Sequence, residues 1–175
     1  MKPIVRLAAP AFAIALFAGC TPSGQTAFEV NGERIGMSAV DSAAKGCEAV
    51  GQGQIQASAI KSQIARMLLV GQLARTVAAE NDFEIDGAAR SAAITQLEGD
   101  DLMTNADCAT AISSFGDFSV AQQRLGAEQL QKEISALDVK VNPRFGQWDP
   151  SKASFTSSTG SLSSQALGNG QVFGG

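Results

Sequence analysis

Three cysteines, Cys20, Cys47 and Cys108, are the residues with the most chemistry to offer in this chain, and no histidine accompanies them. Without histidine there is no general base naturally poised near neutral pH, no Ser–His or Cys–His nucleophile pair and no His-containing zinc site. The cysteines show no CxxC spacing of the kind used for redox exchange or metal binding. Carboxylates remain, densest in Glu98-Gly99-Asp100-Asp101. A calcium loop needs acids at alternating positions, a glycine at the turn and a closing glutamate, and this stretch lacks that order, so it reads as a solvated loop. Gly168-Asn169-Gly170-Gln171 joins no strand to a helix and gives phosphate binding no support. The expectation is a protein that is not an enzyme, with no catalytic residue, no metal and no cofactor.

The three cysteines divide by position. Met1-Lys2-Pro3-Ile4-Val5-Arg6 carries two cations, and the uncharged apolar run 7–17 follows, which is the layout of a signal peptide. That run is too short for a spanning helix, which needs roughly 20 residues. Leu16-Phe17-Ala18-Gly19-Cys20 then resembles a lipobox, with Phe17 where a leucine or small aliphatic is more usual. The expectation is cleavage after residue 19 and acylation of Cys20; an ordinary cleavage site that happens to precede a cysteine is the other reading. Loss of residues 1–19 removes Lys2 and Arg6 and no acid, so the formal charge moves from −4 to −6. An acidic body has no basic patch for nucleic acid and is repelled by anionic headgroups, so membrane attachment falls to the lipid, whose two or more acyl chains anchor stably. The expected location is the extracytoplasmic face of the cell membrane.

With Cys20 committed to lipid, Cys47 and Cys108 read as one disulfide, since exported chains meet oxidising conditions. Closing that loop would stabilise the fold by roughly 4 kcal/mol in the chain-entropy model. A pair of free thiols is the alternative.

The elements that must position these residues follow from periodicity. Residues 20–26 form a polar, lipidated tether, and 27–150 one mainly α domain. Phe28 and Val30 alternate with polar neighbours before an Asn31-Gly32 turn, as in a short strand. Ser38 and Asp41 have capping-box spacing before a helix over 39–50, with Val40, Ala43, Ala44 and Cys47 on one face. Ile60, Ile64, Met67, Leu68, Gly71 and Ala74 repeat at helical spacing within 54–81 and predict a long amphipathic helix. Asp86 is a candidate N-cap for a third helix running to about residue 98. A short helix over 107–114 should bring Cys108 against the first helix and stop at Gly116-Asp117. A further helix over 118–137 has the seam Val120, Gln123, Ala127, Leu130, Ile134 and Leu137. Val139-Lys140-Val141-Asn142 alternates like a strand that Pro143 confines to an edge or an end. Residues 151–175, rich in Gly, Ser and Thr, should be a disordered tail.

Phe28-Glu29-Val30-Asn31-Gly32-Glu33-Arg34-Ile35, the long helix beyond it and the closing Val139-Lys140-Val141-Asn142-Pro143-Arg144-Phe145-Gly146-Gln147-Trp148-Asp149 together resemble the N-terminal chaperone domain of the SurA and PrsA group of extracytoplasmic folding factors. More narrowly, the chain resembles lipoproteins of high-GC Gram-positive bacteria with that domain, in which a V-N-P-R-F/Y-G-x-W-D stretch recurs. The resemblance covers roughly residues 27–150. It implies that the strand near 28–31 pairs with the one near 139–142, so that the helices between form a cradle for unfolded segments. There is no room between Leu137 and Asp138 for the parvulin-type isomerase module of full-length relatives, which departs from their pattern.

Arg144, Phe145 and Trp148 are the one notable aromatic and basic cluster. They could form a ridge that binds an extended peptide, or a clasp that folds over the helices and buries Trp148. Met67, Leu68, Met103, Phe115 and Phe118 could line a groove or belong to the core. The leading expectation is a membrane-tethered holdase for unfolded or newly translocated proteins, without isomerase activity. The alternative is a noncatalytic lipoprotein that scaffolds one envelope complex.

Overall fold

The computed structural model describes residues 24–52, 57–97, 99–152 and 154–156. The segment expected to be a signal peptide, Cys20, most of the expected tether, Glu98 and residues 157–175 lie outside the described residues. The described chain is mainly helical with small antiparallel sheets. Strands β1 (Thr26–Val30) and β2 (Glu33–Gly36) make a hairpin. Asn31 and Gly32 both take positive φ, 47° and 88°, which matches the twist of a two-residue hairpin turn. Five helices follow: α1 (Met37–Val50), α2 (Ala57–Glu80), α3 (Gly87–Gln96), α4 (Ala106–Leu125) and α5 (Ala127–Ala136). The chain closes with β3 (Val139–Val141), β4 (Gln147–Asp149) and β5 (Ser154–Thr156).

β1 is the centre of a three-stranded sheet in the order β2-β1-β3, with Phe28 opposite Val141, Glu29 opposite Lys140 and Val30 opposite Val139. The two ends of the domain therefore meet in one ladder. The core lies where the apolar side of this sheet joins α1, α2, α4 and α5; Phe28, Val40, Leu69, Leu73, Val77, Leu130 and Ile134 are among its buried side chains. Val40, Ala43, Ala44 and Cys47 do form the buried stripe of α1. Cys47 meets Cys108 of α4 in a disulfide whose α-carbons are 4.6 Å apart.

Four expectations need correction. The capping box at Ser38 does not form: α1 starts at Met37, whose N–H donates to the Gln25 carbonyl (2.7 Å), and Asp41 pairs instead with Lys61 of α2. Asp100–Thr104 is a short 3-10 helix where a loop was expected. Helix α4 does not stop at Gly116-Asp117 but runs on to Leu125, and the break falls at Gly126, with φ +81°. Gly116 serves close packing: a Cβ there would lie 3.1 Å from both Ile94 Cγ1 and Arg90 Cγ of α3. Because the chain turns at Gly126, the expected seam is shortened, with Leu130 and Ile134 buried and Gln123 and Ala127 exposed. The tail boundary at 150 also moves. Ser154–Thr156 pairs with Gln147–Asp149, so order continues past Pro150.

Candidate functional site

The segment after α5 is shaped residue by residue. Asp138 N–H donates to Asn31 Oδ1 (3.0 Å) and the Asp138 carbonyl accepts from Asn31 N–H (2.9 Å), which fixes the entry to β3. At the exit, buried Asn142 donates from Nδ2 to the Thr26 carbonyl (2.8 Å) and from its backbone to the Ala27 carbonyl (2.9 Å). Its Oδ1 accepts from Arg144 N–H (3.1 Å) and caps a short turn with Pro143 at the first position, where a missing N–H costs nothing. Gly146, φ +105°, then reverses the chain into β4.

This path turns Phe145 onto Phe28, ring centroids 5.3 Å apart, and brings β4 and β5 over the same ring. Phe155 stacks on Phe28 at 5.8 Å, stands 6.3 Å from Phe145, and meets Trp148 edge-on at 6.3 Å. Beside β3, the terminal strand of its sheet, runs an open groove of about 380 Å³ lined by Val139, Val141, Pro143, Gly146, Gln147 and Trp148.

On the other side of the same strands lies a charged row. Register places Glu29 of β1 between Arg34 of β2 and Lys140 of β3, and its carboxylate accepts from Lys140 Nζ (2.7 Å) and Arg34 Nε (2.8 Å). The bond from Lys140, then that from Arg34, holds the Glu29 carboxyl below the usual glutamate value, and the bond to Glu29 raises Lys140 in turn. Beyond the hairpin turn, a second groove of about 420 Å³ is lined by Asn31, Glu33, Gln72, Arg75 and Glu80 among others. Its polar groups are engaged with one another. Gln72 Nε2 donates to Glu33 (2.6 Å), Arg75 donates to Gln72 Oε1 (2.9 Å), and Asn31 Nδ2 donates to Glu80 (2.9 Å). Arg75 also reaches Asp117 Oδ2 (2.7 Å), whose other oxygen binds Arg90 of α3. Among the described residues no group of three or more acids and cysteines is arranged to hold a metal ion.

The expected peptide-contacting residues are only partly brought together. Phe145 and Trp148 are half-buried in the aromatic group, while Arg144 points to solvent. Leu68 belongs to the core, with Met67 and Phe118 half-buried against it. Phe115 and Phe118 stack on one another at 6.5 Å, and Met103 is exposed on the 3-10 helix. None of Met67, Leu68, Met103, Phe115 and Phe118 lines either groove. Long helices pack their apolar faces on each other, and of the two readings, groove or core, Leu68, Met67 and Phe118 take the core.

Sequence reasoning missed Phe155, Asp117 and the Glu29 row. Phe155 had a signal, an aromatic residue isolated in a stretch of small polar ones. Asp117 had another, since it falls at helical spacing between Ser114 and Ala121, both buried. No protein-family model, curated protein or solved structure matches the chain at a significant level. No helix among the described residues is long and apolar enough to cross a membrane.

Proposed function

We propose that the protein is a noncatalytic, lipid-anchored factor on the outer face of the cell membrane that holds extended segments of unfolded exported proteins. The observation that carries this reading is the groove beside β3. A terminal strand offers main-chain pairing to an incoming extended segment, and Val139 and Val141 offer apolar contact to its side chains. The resemblance to SurA and PrsA chaperone domains supports it, as does the pairing of β1 with β3 that the resemblance implied. Cys20, acylated, supplies the attachment, and the acidic body keeps complexes soluble.

The test uses the mature chain with Cys20→Ser, so that it is soluble. At near-stoichiometric amounts it should suppress light scattering by an unrelated unfolding protein, and suppression should survive raised salt because the main attraction is apolar. It should leave prolyl isomerisation at its background rate. Scattering unchanged at severalfold excess overturns the holdase.

One observation favours a second reading, a lipoprotein that scaffolds one envelope complex. Of the large apolar side chains in the described residues, those standing well exposed are Leu97 (49 %) and Met103 (37 %). Stoichiometric capture of a single folded partner, with no suppression of aggregation, is its signature.

A further inference from the structure

The groove beside β3 has one wall that the rest of the fold does not require. β4 and β5 pair with each other and not with β3, in a sheet of their own: Gln147 opposite Thr156, Trp148 opposite Phe155, Asp149 opposite Ser154. The turn is stabilised within itself. Ser151 donates to Asp149 Oδ1 from both its N–H (3.0 Å) and its hydroxyl (2.5 Å), and Lys152 N–H donates to the Asp149 carbonyl (3.2 Å). The hairpin thus carries its own hydrogen bonds. Its purchase on the domain includes the ring of Phe155 lying nearly parallel to Phe28, 11° between planes, its contact with Phe145, the packing of Trp148 on the core and a bond from Gln131 Nε2 to the Pro150 carbonyl.

At the base of the hairpin stands Gly146, in a positive-φ conformation that glycine adopts without strain. Just before it, Asn142 pins the chain to Thr26 and Ala27. Movement about Gly146 would therefore lift β4 and β5 and leave the β1–β3 ladder in place. It would uncover Phe28, which is fully buried and pairs with Val141, together with one face of Phe145 and the edge of β3 that β4 flanks.

We propose that the hairpin Gln147–Thr156 is a displaceable strap whose Phe155 ring holds the place on Phe28 that an aromatic side chain of a client takes. The occupant it yields to is an extended apolar segment of an unfolded protein bearing an aromatic residue, whose ring takes the place of Phe155 on Phe28. The chemistry of that occupant is read from the strap itself, an extended strand presenting a phenyl ring to Phe28 and Phe145. The strap also accounts for how Phe28 stays covered when no client is bound. This inference rests on the holdase reading.

Trp148 is the sole tryptophan, so its emission reports the strap directly. The experiment compares the mature Cys20→Ser chain with the same chain carrying Phe155→Ala, using reduced and carboxymethylated ribonuclease A, which contains no tryptophan, as the unfolded probe. Binding of the probe should shift Trp148 emission to the red in the parent. Hydrogen exchange should quicken at β4 and β5 and stay slow at β1. Phe155→Ala should start red-shifted and bind the probe about fivefold more tightly, the order of effect expected when one aromatic pair no longer competes. Equal or weaker binding by Phe155→Ala, with Trp148 emission and strap exchange unmoved when the parent binds, overturns the strap and leaves the holdase standing. Absence of binding by both chains overturns the holdase itself. If Phe155→Ala proves unfolded by circular dichroism, the parent's exchange pattern alone decides. Concentration-dependent dimerisation through exchanged hairpins, abolished by excess probe in neither chain, would make a second copy the occupant and overturn the client.

Discussion

The helical body and the C-terminal clasp are secured in different currencies of interaction. In the body, α1 and α4 are joined through Cys47–Cys108, and α2, α3 and α4 converge on Asp117, whose side chain is 3 % exposed and bound by Arg75 and Arg90. The clasp has no covalent link among the described residues, and its tie to a buried carboxylate is Lys140 on Glu29 of β1. It is tied by a three-residue strand, the hydrogen bonds of Asn142 and a group of stacked rings. Covalent and buried ionic ties are specific and costly to break, so they suit a scaffold that stays put. Ring contacts are nondirectional and can be replaced by another apolar group at little net cost, so they suit a part that exchanges partners.

The largest effect should come from cutting where the two regions meet. Truncation after Leu137 removes β3 and leaves Phe28 and Val30 without cover on the central strand. Losing that burial costs about 4 kcal/mol or more, and the helices should melt cooperatively at a much lower temperature by circular dichroism. Truncation after Asp149 keeps β3 and removes only β5 with Phe155; its cost should be about 1 kcal/mol, the scale of a ring pair. Equal melting temperatures for the two truncations would erase the distinction between ladder and strap.

Within the body, removal of the disulfide by the paired change Cys47→Ala and Cys108→Ala should cost about 4 kcal/mol, because the bond closes a separation of 61 residues in the unfolded chain. Denaturant titration measures it. The clasp should be unaffected in the native state, so Trp148 emission below the transition should match the parent.

Next comes Asp117→Ala. It strands two guanidinium groups, but Arg75 and Arg90 are 42 % and 33 % exposed and regain water, so the loss should be about 2–3 kcal/mol, less than for a fully buried pair. Asp117→Asn should lose less, since one acceptor remains. A loss below that of the Asp149 truncation would show that ions secure the body no better than rings secure the clasp.

The smallest effect is electrostatic and spans both regions, through Glu29. Its folded pKa lies below the ordinary value of 4.5, so its contribution is present above that value and fades as pH falls through the lowered one. Lys140 is raised above 10.5, so its contribution is complete below that value and is lost as pH rises through the folded one. Melting temperature against pH should lose an increment at each end, and Glu29→Gln should flatten both. A Glu29→Gln profile parallel to that of the parent would remove the row from the account of stability.

Much of the architecture was legible because it is encoded locally. The Asn31-Gly32 turn, the stripe of Val40, Ala43, Ala44 and Cys47, the long period of α2 and the Asp86 cap each depend on residues within a few positions of one another. The Asp86 side chain accepts from Ala89 N–H at 2.7 Å. The pairing of the two end strands was implied by resemblance, and cysteine count by itself left Cys47 and Cys108 as a disulfide or two thiols. The candidate groove was half legible: Trp148 stood out as aromatic, but Val139 and Val141 acquire their part only when the chain end folds back.

The sequence alone thus determined the mainly helical class, the apolar stripes of α1 and α2 and the absence of histidine chemistry, because periodicity and composition need no knowledge of neighbours. Tertiary structure decided the rest. Gly116 and Gly126 are the same residue type ten positions apart, yet one lies inside a helix against Ile94 and the other ends it at φ +81°. Asp117 looked like part of a break and is the buried centre of three helices, and Phe155 looked like tail and covers Phe28. In each case the preference of the residue is weaker than the contact it finds, and that contact comes from a segment distant along the chain.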